Sequence, residues 1–162
     1  MLYFAYGSNL NLRHMKRHAP RAVPVSPARL DGYRLVFRRY ADIAPDKTGV
    51  VWGAVYDLTP ACERSLDEYE AFPTLFRKIT VRVDVAGEMK DAMAYVMNAQ
   101  GAAPETVSDA RLRAPAIDYF TVVAQGYRDW KLDPAPLTKA RIAVLHPVKT
   151  PPKAPPRGGA GL

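Results

Sequence analysis

The order of the predicted strands and helices constrains the fold of this chain more than any other feature of its sequence. Hydrophobic periodicity and turn residues predict a strand, a helix, two strands, a second helix, a β-hairpin and then further helical segments. A doubly wound sheet would require a regular alternation of strand and helix, which this order lacks. We therefore predict an α+β fold in which helices flank a small, mixed and mostly antiparallel β-sheet or barrel.

The predicted strands are rich in apolar, β-branched and aromatic residues. They are Leu2 to Tyr6, Tyr33 to Arg38, Gly49 to Tyr56, and a hairpin made of Phe76 to Val85 and Met93 to Met97. The turn of this hairpin is predicted at Ala86-Gly87-Glu88. The first strand stops at Gly7-Ser8-Asn9, because these residue types are typical of a turn.

Helices are predicted over residues 10–17, from 60 to about 69 or 70, over 116–130 and over 137–145. The second of them has a favourable start, since Thr59 can act as N-cap and Pro60 fits the first helical position. Gly126 is predicted to be a weak position inside the third helix.

The formal net charge of +7 is unevenly distributed along the chain. Residues 13–39 alone carry +7, whereas residues 40–146 carry −3 and residues 147–162 carry +3. The last segment has five Pro and three Gly in sixteen residues, so ordering it would cost backbone entropy without a compensating core. We predict one folded domain over residues 1–146, followed by a disordered Pro/Gly-rich basic tail over 147–162.

The sequence favours a cytoplasmic protein without a membrane partner. Its start has no basic segment and only a short apolar run before Gly7, unlike a secretory signal. No run of about 18 apolar residues could cross a bilayer. The single cysteine, Cys62, cannot form an intramolecular disulfide, which suits a reducing compartment.

The turn through Tyr6, Gly7, Ser8 and Asn9 is the first segment that could carry chemistry. Such a turn tolerates left-handed backbone angles and can direct successive N–H groups at one point, with a helix N-terminus behind them. This arrangement would suit a carboxylate, a phosphate or a developing oxyanion. The alternative is an ordinary turn with an N-cap.

Glu70 is the second candidate. Helical spacing places Cys62, Leu66, Tyr69 and Pro73 on one core-facing stripe, and Glu70 lies at its edge. A carboxylate that is partly desolvated there would have a raised pKa and could act as a base near neutral pH. The alternative is a solvated acidic helix face with one glutamate at its rim.

These segments together resemble the γ-glutamylcyclotransferase-like (AIG2-like) superfamily. Leu2 to Leu10 is similar to the opening signature of that superfamily, and Leu66 to Glu70 resembles the segment that carries its catalytic glutamate. Val51 to Tyr56 resembles the strand before that helix, and Pro115 to Trp130 resembles a later region with a tyrosine ahead of a helix. The resemblance covers about residues 2–146.

The resemblance implies roles for particular residues. It implies that Glu70 is the general base, that Tyr6, Gly7, Ser8 and Asn9 form a substrate-binding loop, that Tyr119 contacts substrate, and that Tyr3 is a weaker candidate. Ala71 stands where relatives commonly have glycine, and Phe76 stands where they commonly have tyrosine. We expect these two departures to affect the choice of substrate.

The implied reaction is the cyclisation of a γ-glutamyl amine or amino acid to 5-oxoproline, with release of the free amine. The α-amine of such a substrate is the nucleophile, so this acyltransferase reaction requires from the protein a base and a binding site that holds the substrate in a curled conformation. It requires no cofactor, no metal and no nucleophilic side chain. The expected partner is therefore a small γ-glutamyl compound.

Other candidate sites are weaker. His14 and His18 have a spacing that could bind zinc, but the basic residues around them would repel a dication. Cys62 lies on the apolar stripe, which predicts a buried structural thiol.

Two further readings of the function remain open. Aromatic residues alternate with arginines from Tyr33 to Tyr40 and could bind nucleic acid by base stacking. Strand alternation instead predicts that Tyr33, Leu35 and Phe37 face the core while Arg34, Val36 and Arg38 face outward, so we expect no nucleic-acid partner. The other possibility is a relative that keeps the pocket and binds a ligand without turning it over.

Overall fold

The computed structural model describes residues 1–99 and 113–146. Its strands are β1 (Leu2–Ala5), β2 (Val23–Arg38), β3 (Tyr40–Asp57), β4 (Phe76–Val85) and β5 (Glu88–Met97). A one-turn 3₁₀ helix covers Ser8–Leu10, and the α-helices are α1 (Leu12–His18), α2 (Pro60–Tyr69), α3 (Ile117–Asp129) and α4 (Ala135–Leu145). The tail predicted over 147–162 lies outside the described residues.

The five strands form a closed barrel in the order β1-β3-β2-β4-β5. Neighbouring strands run antiparallel except β1 and β5, which close the barrel as a parallel pair through Tyr3 and Met93. The predicted α+β fold with a mixed, mostly antiparallel barrel is confirmed. The short β1 sits between β3 and β5, so the turn that follows it emerges at one end of the barrel.

β2 and β3 are much longer than the predicted strands 33–38 and 49–56, which are only parts of them. Proline and glycine interrupt the apolar pattern of β2, and the pairing absorbs them with register shifts between Pro24 and Ser26 and between Asp31 and Tyr33. The predicted outward orientation of Val36 is wrong. Val36 is buried like Leu35 and Phe37, so strict alternation does not hold in this part of the strand.

α2 forms as predicted, with the Thr59 side chain accepting a hydrogen bond from the N–H of Cys62 at 3.2 Å. Cys62 and Leu66 are buried as expected, but the prediction that Tyr69 and Pro73 complete the buried stripe is wrong, since both are exposed. The helix ends at Tyr69, and Ala71 then adopts a φ of 49°, so the helical projection does not extend to Pro73. Glu70 therefore lies at the point where helix gives way to loop.

α3 fixes the start of the chain from outside the barrel. A Cβ atom on Gly126 would lie 2.4 Å from the Cβ of Leu10, so only glycine allows α3 to approach the 3₁₀ turn so closely. The indole N–H of Trp130 donates to the carbonyl of Leu10 at 2.9 Å. The glycine predicted to be a weak point is thus a packing requirement that holds the turn after β1 in place.

Candidate active site

A narrow cleft opens at the end of β1, beside the C-terminal end of α2. Its volume is about 280 Å³, including space that is open to solvent. It is lined by Tyr3, Tyr6, Gly7, Ser8, Asn9, Ala41, Glu70, Phe76 and Tyr95. These lining residues include one carboxylate and no cationic side chain, so the cleft is polar and largely uncharged around Glu70.

Glu70 and Asn9 are in direct contact. The Asn9 Nδ2 donates to Glu70 Oε1 at 2.9 Å. Burial raises the pKa of Glu70 to about 7, and the hydrogen bond from Asn9 opposes that rise by stabilising the carboxylate. A carboxyl group with this pKa can both accept and return a proton near neutral pH.

Asn9 is buried and has one open hydrogen-bonding position. Its Nδ2 also donates to the Tyr3 hydroxyl at 2.9 Å, so both amide hydrogens are used. Within residues 1–99 and 113–146, its Oδ1 has no hydrogen-bond partner. A buried acceptor of this kind is costly unless a donor supplied by a ligand or water completes it.

The Gly7-Ser8-Asn9 loop supplies backbone donors. The N–H groups of Leu10 and Asn11 donate to the carbonyls of Gly7 and Ser8, each at 3.0 Å, and close the 3₁₀ turn. The N–H groups of Ser8 and Asn9 precede these bonds and have no acceptor within the turn, as at any helix start. Ser8 and Asn9 both line the cleft, so these N–H groups are candidates for binding an anionic group there.

Gly7 is required for close packing and not for unusual backbone angles. Its φ is −111°, so Gly7 does not adopt the left-handed angles that a turn of this composition tolerates. A Cβ atom at this position would lie 3.2 Å from the Ala41 Cβ and 3.4 Å from the Tyr119 hydroxyl. The absence of a side chain at Gly7 therefore lets the loop sit closely against β3.

Three tyrosines form the wall of the cleft. The Tyr6 hydroxyl donates to the carbonyl of Tyr95, and the Tyr95 hydroxyl donates to Asp67 at 2.6 Å. The rings of Tyr3 and Tyr95 meet edge to face at 5.8 Å. Burial raises the pKa of Tyr3 and Tyr6 well above the usual value, so both phenols stay neutral at physiological pH.

The structure brings together most of the residues singled out from the sequence. Tyr6, Gly7, Ser8, Asn9, Glu70 and the weaker candidate Tyr3 all line the cleft. Tyr119 does not line it and lies behind the loop, where its hydroxyl accepts the N–H of Ala41 at 3.1 Å. Sequence reasoning missed Tyr95 and Ala41, which are distant along the chain and show no local signal of a site.

The weaker candidates lie elsewhere. Cys62 is a free, buried thiol on α2. Across the described ranges, no group of three or more His, Cys, Asp or Glu side chains is placed to hold a metal ion. Within the same residues, no helix has the length and apolar character needed to cross a membrane.

The fold and the cleft define a small α+β barrel protein with a single-carboxylate site beside a glycine-containing loop. Residues 3–118 match the family model described as gamma-glutamyl cyclotransferase, AIG2-like. The match spans most of the chain, and the protein belongs to this family. The suspected resemblance is thereby confirmed.

Solved structures share the fold. A human protein described as uncharacterized, loc79017, has a TM-score of 0.72 and 26% identity, over 86% of this chain and 85% of its own. A structure titled gamma-glutamyl cyclotransferase has a TM-score of 0.70 and 23% identity, over 96% and 94%. YkqA from Bacillus subtilis has a TM-score of 0.69 and 22% identity, over 90% of this chain and 54% of its own. No curated protein sequence matches the chain.

Proposed function

We propose that this protein is a γ-glutamylcyclotransferase-type enzyme that converts a γ-glutamyl amine or amino acid to 5-oxoproline and the free amine, with Glu70 as general base. The observation that carries the proposal is the buried Glu70 carboxyl, held 2.9 Å from the Asn9 amide in a cleft against the Gly7-Ser8-Asn9 loop. Membership of the gamma-glutamyl cyclotransferase, AIG2-like family supports this choice of reaction.

The substrate's α-ammonium group fits the polar groups around Glu70. The Glu70 carboxylate and the open Oδ1 of Asn9 are both acceptors, and an ammonium group carries three donors. Binding the ammonium there would give a donor to this buried acceptor, which has no partner among residues 1–99 and 113–146. It would also place the proton to be removed on the base.

The backbone N–H groups of Ser8 and Asn9 would hold a negatively charged oxygen of the substrate. Preorganised N–H donors cost no reorganisation when charge develops on such an oxygen. Held in a curled conformation, the α-amine and the γ-carbonyl react within one molecule, for which effective molarities reach about 10⁵ to 10⁸ M. Positioning can therefore supply a large share of the rate.

The proton bookkeeping involves a single carboxyl group. Glu70 takes a first proton from the α-ammonium, the neutral amine attacks the γ-carbonyl, and a C–N bond forms to close the five-membered ring. The Glu70 carboxyl gives this proton to the leaving nitrogen as the original C–N bond breaks. The ring nitrogen loses its second proton to Glu70, which passes it to the released amine, so the products are the neutral lactam and an ammonium ion. A pKa of about 7 suits these transfers, since neither protonation state of Glu70 is strongly disfavoured at neutral pH.

The test is product analysis on a panel of γ-glutamyl compounds. The panel contains γ-glutamyl amino acids, glutathione, γ-glutamyl-ε-lysine and simple γ-glutamyl amines, and mass spectrometry follows both products. We expect 5-oxoproline from at least one compound. Release of glutamate, which is heavier than 5-oxoproline by one water, would show hydrolysis and overturn the mechanism. If no compound gives a product, a ligand-binding role without turnover becomes the better interpretation of the function.

A further inference from the structure

A line of polar side chains meets the Gly7-Ser8-Asn9 loop at Ser8. The Tyr69 hydroxyl lies 2.9 Å from His14 Nε2 and 3.5 Å from the Ser8 hydroxyl. Burial raises the pKa of the Tyr119 phenol, and an interaction with the Ser8 hydroxyl opposes that rise. Ser8 is therefore linked to α1 and α2 on one side and to Tyr119 on the other.

The far end of this line favours one direction for its hydrogen bonds. The N–H of Ala41 can only donate, so the Tyr119 oxygen accepts there, and its own proton is available for Ser8. The distances do not assign donors between Ser8, Tyr69 and His14, but a proton received from Tyr119 leaves Ser8 to donate to Tyr69 and Tyr69 to donate to the ring of His14. In this direction His14 must accept at Nε2, so its single ring proton is on Nδ1.

His14 is suited to accept. Burial, followed by the positive charges of His18 and Arg17, lowers its pKa to about 4, so the ring is neutral at physiological pH and one nitrogen carries a lone pair. The Tyr69 ring is also packed independently of its hydroxyl, because His18 stacks on it with ring centroids 3.9 Å apart. Hydrogen bonding and packing of Tyr69 can thus be separated by substitution.

We propose that Tyr69 and His14 are positioning residues of the active site. By holding the Ser8 side chain, they fix the position of the loop whose Ser8 and Asn9 N–H groups are proposed to bind the substrate. Neither residue lines the cleft. The inference rests on the proposed function for its effect on the reaction, but the direction of the hydrogen bonds does not depend on it.

The direction is tested on the free wild-type protein by NMR of the imidazole ¹⁵N nuclei. We expect His14 at pH 7 to be the neutral tautomer with a proton on Nδ1 and none on Nε2. A proton fixed on Nε2 would reverse the chain and overturn the proposal. This measurement requires no substrate, so it remains decisive even if the γ-glutamyl panel yields no product.

The effect on the site is tested with four single variants and one double variant. Tyr69→Phe removes both contacts of the Tyr69 hydroxyl, and His14→Leu removes one of them. We expect kcat/KM to fall about 3- to 10-fold for each. The double variant should lose no more than the larger single loss, because both act through one chain. His14→Gln, which keeps an acceptor, should recover most of the activity. His18→Leu alters the packing against the Tyr69 and His14 rings but removes no hydrogen bond of the line, so it should retain the activity.

The same variants give a readout in the absence of substrate. The backbone amide resonances of Ser8 and Asn9 should shift in Tyr69→Phe and His14→Leu and remain in place in His18→Leu. Unchanged amide resonances in the first two variants would overturn the proposal. Equal losses of activity in His14→Leu and His14→Gln would do the same, because they would point to packing and not to hydrogen bonding.

Discussion

The side-chain amide of Asn9 donates a 2.9 Å hydrogen bond to the carboxylate of Glu70, although the two residues are 61 positions apart in the sequence. Asn9 belongs to the 3₁₀ turn after β1, and Glu70 is the C-cap of α2. This bond joins the loop that offers backbone donors to the group proposed as the base. The pKa of Glu70 therefore depends on the loop, and the orientation of the Asn9 side chain depends on Glu70.

Glu70→Gln is expected to abolish cyclisation while leaving the fold and ligand binding intact. Gln has nearly the same shape and keeps an oxygen that can accept from Asn9, but it cannot take up the proton. Steady-state kinetics should show less than a tenth of the wild-type rate. Glu68→Gln is the matched control, since Glu68 is exposed on the same helix, and it should retain full activity. Retention of the wild-type rate by Glu70→Gln would exclude Glu70 as the base.

The same substitution should stabilise the protein at alkaline pH. In the folded protein the pKa of Glu70 is about 7, whereas in the unfolded chain it has the usual value of 4.5. The protonated carboxyl therefore favours the folded state, and the stability of the wild type falls as the pH rises from about 4.5 through 7. The Gln side chain stays neutral at every pH, so the variant does not lose this stability. The loss in the free energy of unfolding of the wild type is at most about 3 kcal/mol, and it is smaller if water reaches the carboxylate. Chemical denaturation at pH 4.5 and pH 8 should show the advantage of Glu70→Gln only at pH 8.

The rate of cyclisation should rise with pH through the pKa of Glu70, near 7. Asn9→Leu removes the hydrogen bond that lowers this pKa, so the midpoint of kcat/KM against pH should move upward in that variant. The substrate ammonium contributes a second titration at higher pH, which is identified by changing the substrate. A midpoint that stays fixed in Asn9→Leu would mean that the observed titration belongs to another group.

Gly7 is expected to tolerate alanine far better than valine. An alanine Cβ would meet Ala41 at 3.2 Å and Tyr119 at 3.4 Å, which small shifts can absorb, whereas the extra methyl groups of valine would push the loop off β3. Gly7→Val should raise KM at least tenfold, on the order of 1.4 kcal/mol of binding. Thermal unfolding separates this effect from misfolding, and unchanged kinetics would show that the loop does not contact the substrate.

Removal of residues 147–162 should leave the protein stable and active. The segment has five Pro and three Gly in sixteen residues and few apolar side chains, so we propose that residues 1–146 form the complete folded unit. The melting temperature should change by less than about 2 °C, which corresponds to well under 1 kcal/mol for a domain of this size. A larger decrease would mean that the tail packs against the domain.

Several elements of the fold follow from signals that lie close together in the sequence. α2 begins at Thr59-Pro60 because the cap and the proline act within one turn, and the β4–β5 hairpin follows from alternation around Ala86-Gly87-Glu88. The Gly7-Ser8-Asn9 turn and Glu70 were also found from sequence, because turn residues and a helix end leave short-range signals. Together with the family resemblance, these local features were sufficient to predict the class of fold.

The way in which these parts meet depends on long-range contacts. The closure of the barrel through Tyr3 and Met93, the wall contributed by Tyr95, and the contact of α3 with Leu10 at Gly126 all join residues far apart in sequence. Such contacts depend on the packing of whole elements, which no local pattern encodes. The raised pKa of Glu70 has the same origin, because burial causes it and the residues that line the cleft with Glu70 come from the loop and the strands.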